Sequence, residues 1–190
     1  MTQAMEMSDK SIMCQERKNI LITGPPGIGK TTLVKKLSEK LPYSHSAGFY
    51  TEEIREKGVR RGFALMSLRG EKSILSRVDI KSPYRVGKYG VDVTNFEKFL
   101  DTISFLKPET DLIILDEIGK MECFSAKFTK LVVQLLDSRK PVIATIALSG
   151  EGLIEAVKRR NEVKLFVMTQ NSRNTLASEI LRWRELASHI

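Results

Sequence analysis

Gly24-Pro25-Pro26-Gly27-Ile28-Gly29-Lys30-Thr31 matches the pattern G-x-x-x-x-G-K-[S/T] at every fixed position. Each residue type has a chemical reason. The glycines let the backbone curl, so that successive N–H groups converge on an anion. A helix starting near Gly29 adds the positive end of its dipole. Lys30 is a mobile positive charge within reach of β- and γ-phosphates, and the Thr31 hydroxyl is a hard oxygen donor for Mg²⁺. A chance match in a chain of this length has odds of roughly one per cent at ordinary glycine frequencies. The chemistry implied is the binding of a polyphosphate.

A second group lies downstream. Leu112, Ile113, Ile114 and Leu115 are followed by Asp116 and Glu117. Four apolar residues and two carboxylates describe a buried strand that delivers acids at its end. Beside a phosphate loop, Asp116 would hold Mg²⁺, through water, because Mg²⁺ keeps most of its waters and takes few protein ligands. Glu117, one residue further, could orient an attacking water or accept its proton. A hydrolase needs such a group, whereas a kinase must keep water out.

These groups need elements to hold them. Residues 19–23 read as a buried strand stopping at Gly24, and residues 30–41 as a helix ended by Pro42. Residues 48–51 are strand-like. Residues 62–68 and 73–78 read as a hairpin turned at Arg69-Gly70-Glu71. Helices are expected over 94–106, 124–136, 151–159 and from about 172 to the end, with Leu176, Ile180 and Trp183 inward. Strands are expected over 112–115, 141–147 and 163–168. This alternation predicts an α/β fold: a mostly parallel sheet covered by helices on both faces, with a small antiparallel hairpin added at one edge.

The chain of 190 residues fits one domain, expected over residues 17–190. Residues 1–16 mix charges with Met, Ser and Gln, lack an apolar signal core, and read as a flexible extension. No run of about eighteen apolar residues occurs, so no membrane span is expected. Cys14 and Cys123 match no zinc or redox spacing, and two thiols suit a cytoplasmic protein. The excess of 31 Lys and Arg over 23 Asp and Glu raises nucleic acid as a partner. The positive charges are scattered, however, and no helix-turn-helix, RNA-recognition or zinc pattern accompanies them.

Four segments occur in order: residues 24–31, Gly48-Phe49-Tyr50-Thr51-Glu52-Glu53, Gly87-Lys88-Tyr89-Gly90-Val91-Asp92, and Asp116-Glu117-Ile118-Gly119-Lys120-Met121-Glu122. In these the chain resembles the small P-loop nucleoside-triphosphatases of the thermophile and cancer-related type, from about Lys18 onward. The resemblance implies a RecA-like or kinase-like sheet. It also implies hydrolysis of ATP, GTP and other nucleoside triphosphates, with Mg²⁺ and a loose preference for the base. It carries nucleotide binding to Gly24, Pro25, Pro26, Gly27, Ile28, Gly29, Lys30, Thr31 and Thr32. It does the same for Leu112, Ile113, Ile114, Leu115, Asp116, Glu117, Ile118 and Gly119. Lys30 and Glu117 are then the catalytic candidates, and Thr31 and Asp116 the Mg²⁺ candidates. Cys123 stands where members often have Leu, and residues 170–174 depart in part from the family's acidic-Asn-Arg pattern.

Weaker candidates remain. Glu52 or Glu53 could stand behind the metal, and the loop of Lys88 and Tyr89 could cover the nucleotide. Arg159, Arg160 and Arg173 are candidates for an arginine finger. His45 and His189 belong to no constellation. Two rival readings stay open: a small nucleotide or metabolite kinase, with residues 55–61 and 158–160 as the candidates for its lid and acceptor pocket, and a nucleotide-dependent switch or nucleic-acid-binding ATPase. Base preference, oligomeric state and pathway are not legible.

Overall fold

The structure is a computed structural model that describes residues 18–41 and 43–188. The expected extension over 1–16, Cys14, Pro42 and His189 lie outside the described residues. The first strand, β1, is Asn19–Thr23, and every residue of it is buried. Helix α1, Lys30–Lys40, follows; the Leu41 N–H bonds back to the Leu37 carbonyl at its end. Next come β2, Ser46–Glu56, β3, Val59–Ser67, and β4, Lys72–Arg77. Two short strands, β5, Arg85–Val86, and β6, Tyr89–Val91, lead into α2, Val93–Asp101. The rest alternates: β7, Leu112–Ile118; a 3-10 turn, Glu122–Phe124; α3, Ala126–Asp137; β8, Val142–Ile146; α4, Leu153–Lys158; β9, Val163–Val167; and α5, Leu176–Ser188.

All nine strands form one sheet in the order β5-β6-β4-β3-β2-β7-β8-β1-β9. The five from β2 to β9 are parallel neighbours. The others are antiparallel. The addition at the edge is therefore four strands, where the sequence suggested one hairpin. The extra hairpin, β2 with β3, turns at Lys57-Gly58, both with positive φ. Written as Glu-Lys-Gly-Val, that turn looks like an ordinary charged loop.

Two apolar layers cover the sheet. Phe49, Leu65, Leu75 and Leu115 pack under α2 and α3 on one face, with Phe96, Phe99 and Phe128 meeting Phe49 edge to face at about 6 Å. On the other face Ile20, Ile22 and Ile114 pack under α1 and α5. Leu176 and Ile180 are buried there, and Trp183 meets the Phe166 ring at 6.0 Å. Trp183 is thus a packing residue.

Helix α2 is shorter than the expected 94–106. Thr102 and Ile103 close it with i→i+3 bonds to Phe99 and Leu100, and the Thr102 hydroxyl also donates to the Phe99 carbonyl. The chain then turns back to bury Phe105. Helix α3 starts two residues later than expected, because the Ser125 hydroxyl caps it by accepting from the Phe128 N–H at 3.0 Å. Strand β2 is longer than its expected four residues, since its far half pairs with β3 rather than with the parallel sheet.

Candidate active site

The phosphate loop joins β1 to α1. Gly24 passes so close to the end of β9 that a Cβ on it would lie 2.5 Å from the Met168 carbonyl oxygen. Gly29, at φ 106°, bends the chain into α1 in a conformation costly for other residues. As N-cap, Gly29 offers no side chain to the helix, and no acid occupies the first turn. The first N–H groups of α1 are thus left for an outside acceptor, and the dipole favours an anion there. Lys30 is folded into the loop, its Nζ donating to the Gly24 carbonyl at 3.1 Å and the Pro25 carbonyl at 3.5 Å.

Strand β7 lies two positions from β1 in the sheet, with β8 between them. Leu112, Ile113, Ile114 and Leu115 are buried in it, as is Ile118, so they carry the acids rather than line the cleft. Ile28 is likewise buried. Asp116 is 1% exposed, and its Oδ1 accepts from the Thr145 hydroxyl of β8 at 2.6 Å. Its Oδ2 is buried without a partner, as is the Thr23 hydroxyl. An orphaned buried carboxylate oxygen is costly, and it suits a hard cation close by. Among the described residues no cluster of three or more His, Cys, Asp or Glu could cage a metal. A donor pair such as Thr31 and Asp116, completed by waters and phosphate, fits Mg²⁺ better than an all-protein cage would.

One cleft of about 800 Å³ joins the phosphate loop to Glu117, while the buried Asp116 is not among its lining residues. Gly24, Pro26, Gly27, Gly29, Lys30, Thr31 and Thr32 form one wall. Glu117, Gly119 and Glu122 form its floor. Pro25 and Ile28 line an adjoining groove with Leu148, Thr169 and Gln170. Burial raises the pKa of Glu117; Lys30 opposes that shift and Asp116 adds to it. Glu122 is buried, and desolvation, aided by the charges of Glu117 and Asp116, pushes it up to about 8. A Cβ on Gly119 would lie 2.8 Å from Glu122 Oε2 and 3.5 Å from Glu117 Cγ. The missing side chain of Gly119 is what lets both carboxyl groups share this corner.

The opposite wall is the antiparallel addition, which presents Thr51, Glu53, Arg60, Phe63, Leu75 and Tyr89. Arg60 Nε donates to the Tyr89 hydroxyl at 3.0 Å, and Arg60 Nη1 to Glu53 at 2.8 Å. The Phe63 and Tyr89 rings meet edge to face at 5.5 Å. The Arg60 hydrogen bond, then Arg55, hold Glu53 below the usual carboxylate range. Of the weaker candidates, Glu53 and Tyr89 line the cleft. Glu52 turns to the other face, where Lys35 of α1 pairs with it at 3.4 Å. Lys88 lies over the Tyr89 ring at 5.6 Å.

None of the three suggested finger arginines lines the cleft. Arg160 is bound to Glu162 and Asp137. Arg159 follows α4, and Arg173 is exposed in the loop before α5. The sequence placed Arg60 only in a candidate kinase lid and Glu122 only at the end of the resembling motif, and neither was given a part in hydrolysis. The only signal for Arg60 was its place in a basic cluster.

A glycine-rich loop between a buried strand and an uncapped helix, beside a strand ending in Asp116 and Glu117, defines a P-loop nucleotide-binding protein. Residues 19–181 match the family model described as NTPase, and the chain belongs to that family. It is 50% identical over 163 residues to the nucleoside-triphosphatase THEP1 of Thermotoga sp. strain RQ2, covering 85% of this chain and 92% of that one. It is 38% identical over 182 residues to the human cancer-related nucleoside-triphosphatase, covering 86% and 95%. The crystal structure of THEP1 from the hyperthermophile Aquifex aeolicus superposes with a TM-score of 0.74 at 37% identity, covering 86% and 97%.

Proposed function

We propose that the chain hydrolyses nucleoside triphosphates to the diphosphate and phosphate, with Mg²⁺. The family and its relatives' names support hydrolysis over the kinase and switch readings. One observation carries the mechanism: Glu117, a half-buried carboxylate, shares a cleft with Lys30 and Thr31 of the phosphate loop.

The loop N–H groups and Lys30 hold the phosphates and stabilise the charge that builds on them. Mg²⁺, held by Thr31 and through water by Asp116, would neutralise phosphate charge and fix the orientation of the chain. Thr145 keeps Asp116 in place by donating to Oδ1, which leaves Oδ2 for the metal's water shell. Glu117 orients the attacking water and takes its proton. The water oxygen bonds to the γ-phosphorus as the bond to the β–γ bridging oxygen breaks. The base is expected in the groove of Pro25, Leu148, Thr169 and Gln170, with loose selectivity, because its only amide side chain is Gln170.

Phosphate release from ATP, GTP, CTP and UTP, each with Mg²⁺ and with excess chelator, tests the reading. Release from several triphosphates that stops with chelator is expected. Tight nucleotide binding with no release from any of the four would contradict it.

A further inference from the structure

Phosphoryl transfer gains from a cation beyond the loop lysine and the metal, because negative charge spreads over the transferring group. Three cationic residues line this cleft: Lys30, Lys120 and Arg60. Lys30 belongs to the loop, and Lys120 is exposed just past β7. Arg60 is placed differently. It comes from the antiparallel wall that faces the phosphate loop, and it is held by three kinds of contact.

Its Nε donates to the Tyr89 hydroxyl and its Nη1 to Glu53. Its guanidinium carbon lies 5.2 Å from the Phe63 ring centre and 5.8 Å from that of Tyr89. Among the described residues, Nη2 donates to no protein acceptor, so part of the donor fork is available to a ligand. The Glu53 carboxylate does not cancel the charge, because Arg55 also binds it, at 2.6 Å. Two guanidinium groups on one carboxylate leave this trio with one net positive charge. A planar donor fork braced by aromatic rings is suited to phosphate oxygens, and it loses little freedom on engaging them.

We propose that Arg60 is a further catalytic residue of this site, donating from Nη2 to the transferring γ-phosphoryl group from the side opposite Lys30, with Tyr89 and Glu53 as its positioning residues. The inference rests on the hydrolytic reading above. The four-stranded addition then delivers the second cation to the site in cis.

The test uses the full chain with Arg60→Ala, Arg60→Lys and Tyr89→Phe. Three quantities are read: kcat, triphosphate affinity, and trapping of Mg²⁺, diphosphate and aluminium fluoride as a transition-state mimic. For Arg60→Ala, kcat should fall on the order of 10³-fold and trapping should be lost, while affinity changes by less than about threefold. Arg60→Lys should recover only part of the rate, since it restores charge without the fork. Tyr89→Phe should lower kcat by a smaller factor.

A purely structural brace would lower the melting temperature of Arg60→Ala while leaving the folded protein's kcat and trapping intact. That result overturns the proposal, as does a kcat for Arg60→Ala within about threefold of wild type. If Arg60→Ala does not fold, Arg60→Lys decides by the same two readouts. A wild type that releases no phosphate from any triphosphate defeats the hydrolytic reading and this inference with it. A hydrolysing wild type with an unaffected Arg60→Ala defeats this inference alone.

Discussion

Glu122 is a carboxyl group buried in the cleft floor, and burial holds it protonated at neutral pH, with a pKa of about 8. Unfolded, it would titrate as an ordinary glutamate, near about 4.3. The folded pKa is the higher one. The stability it supports is therefore complete below the unfolded value and is lost as pH rises through the folded one. Glu122→Gln removes this dependence. In thermal unfolding from pH 5 to pH 9, the variant should gain on wild type as the pH rises. A constant gap across that range would mean that Glu122 is ionised in the fold. At this scale the sequence was legible where chemistry is contiguous. The loop from Gly24 to Thr31 and the pair Asp116 and Glu117 are short strings with fixed spacing. Arg60 meets Tyr89, 29 positions further along, only because the chain between them folds back. No local spacing announces that meeting.

Among the elements, β2 does two jobs. Its first half pairs in parallel with β7, and its second half pairs antiparallel with β3. The passage is tight at Gly48, where an added Cβ would lie 1.9 Å from the Ile114 carbonyl oxygen and 2.7 Å from its carbon. Backbone cannot yield as a side-chain tip can. Gly48→Ala should destabilise the fold by about 3 kcal/mol, read as a lower denaturation midpoint. A midpoint within error of wild type would show that β2 and β7 can part without cost. The parallel core was readable from apolar strands alternating with amphipathic helices. The antiparallel wall was readable only in part. Two of its strands, β5 and β6, are very short, its β2–β3 turn is a Lys-Gly pair in a charged run, and irregular pairing near Ile54 and near Phe63 breaks the alternation. Helix α2 was over-read for a similar reason: Ile103 and Phe105 keep a helical apolar rhythm but pack from a turn.

For the whole molecule, the two walls of the cleft come from the two halves of one sheet. The parallel half supplies the phosphate loop and Glu117, and the antiparallel half supplies Arg60 and Tyr89. Among the described residues no helix is long and apolar enough to cross a membrane. The net charge of +8 finds a partner reading in the substrate, since a positive field favours a polyphosphate arriving at the cleft. In the proposed mechanism Glu117 handles the water while the loop handles the phosphates. The most direct measurement compares wild type with Glu117→Gln for phosphate release and for triphosphate affinity under the same Mg²⁺. Affinity within about threefold and a kcat lower by roughly 10²-fold or more is the expected result. Hydrolysis by Glu117→Gln at the wild-type rate would contradict the account.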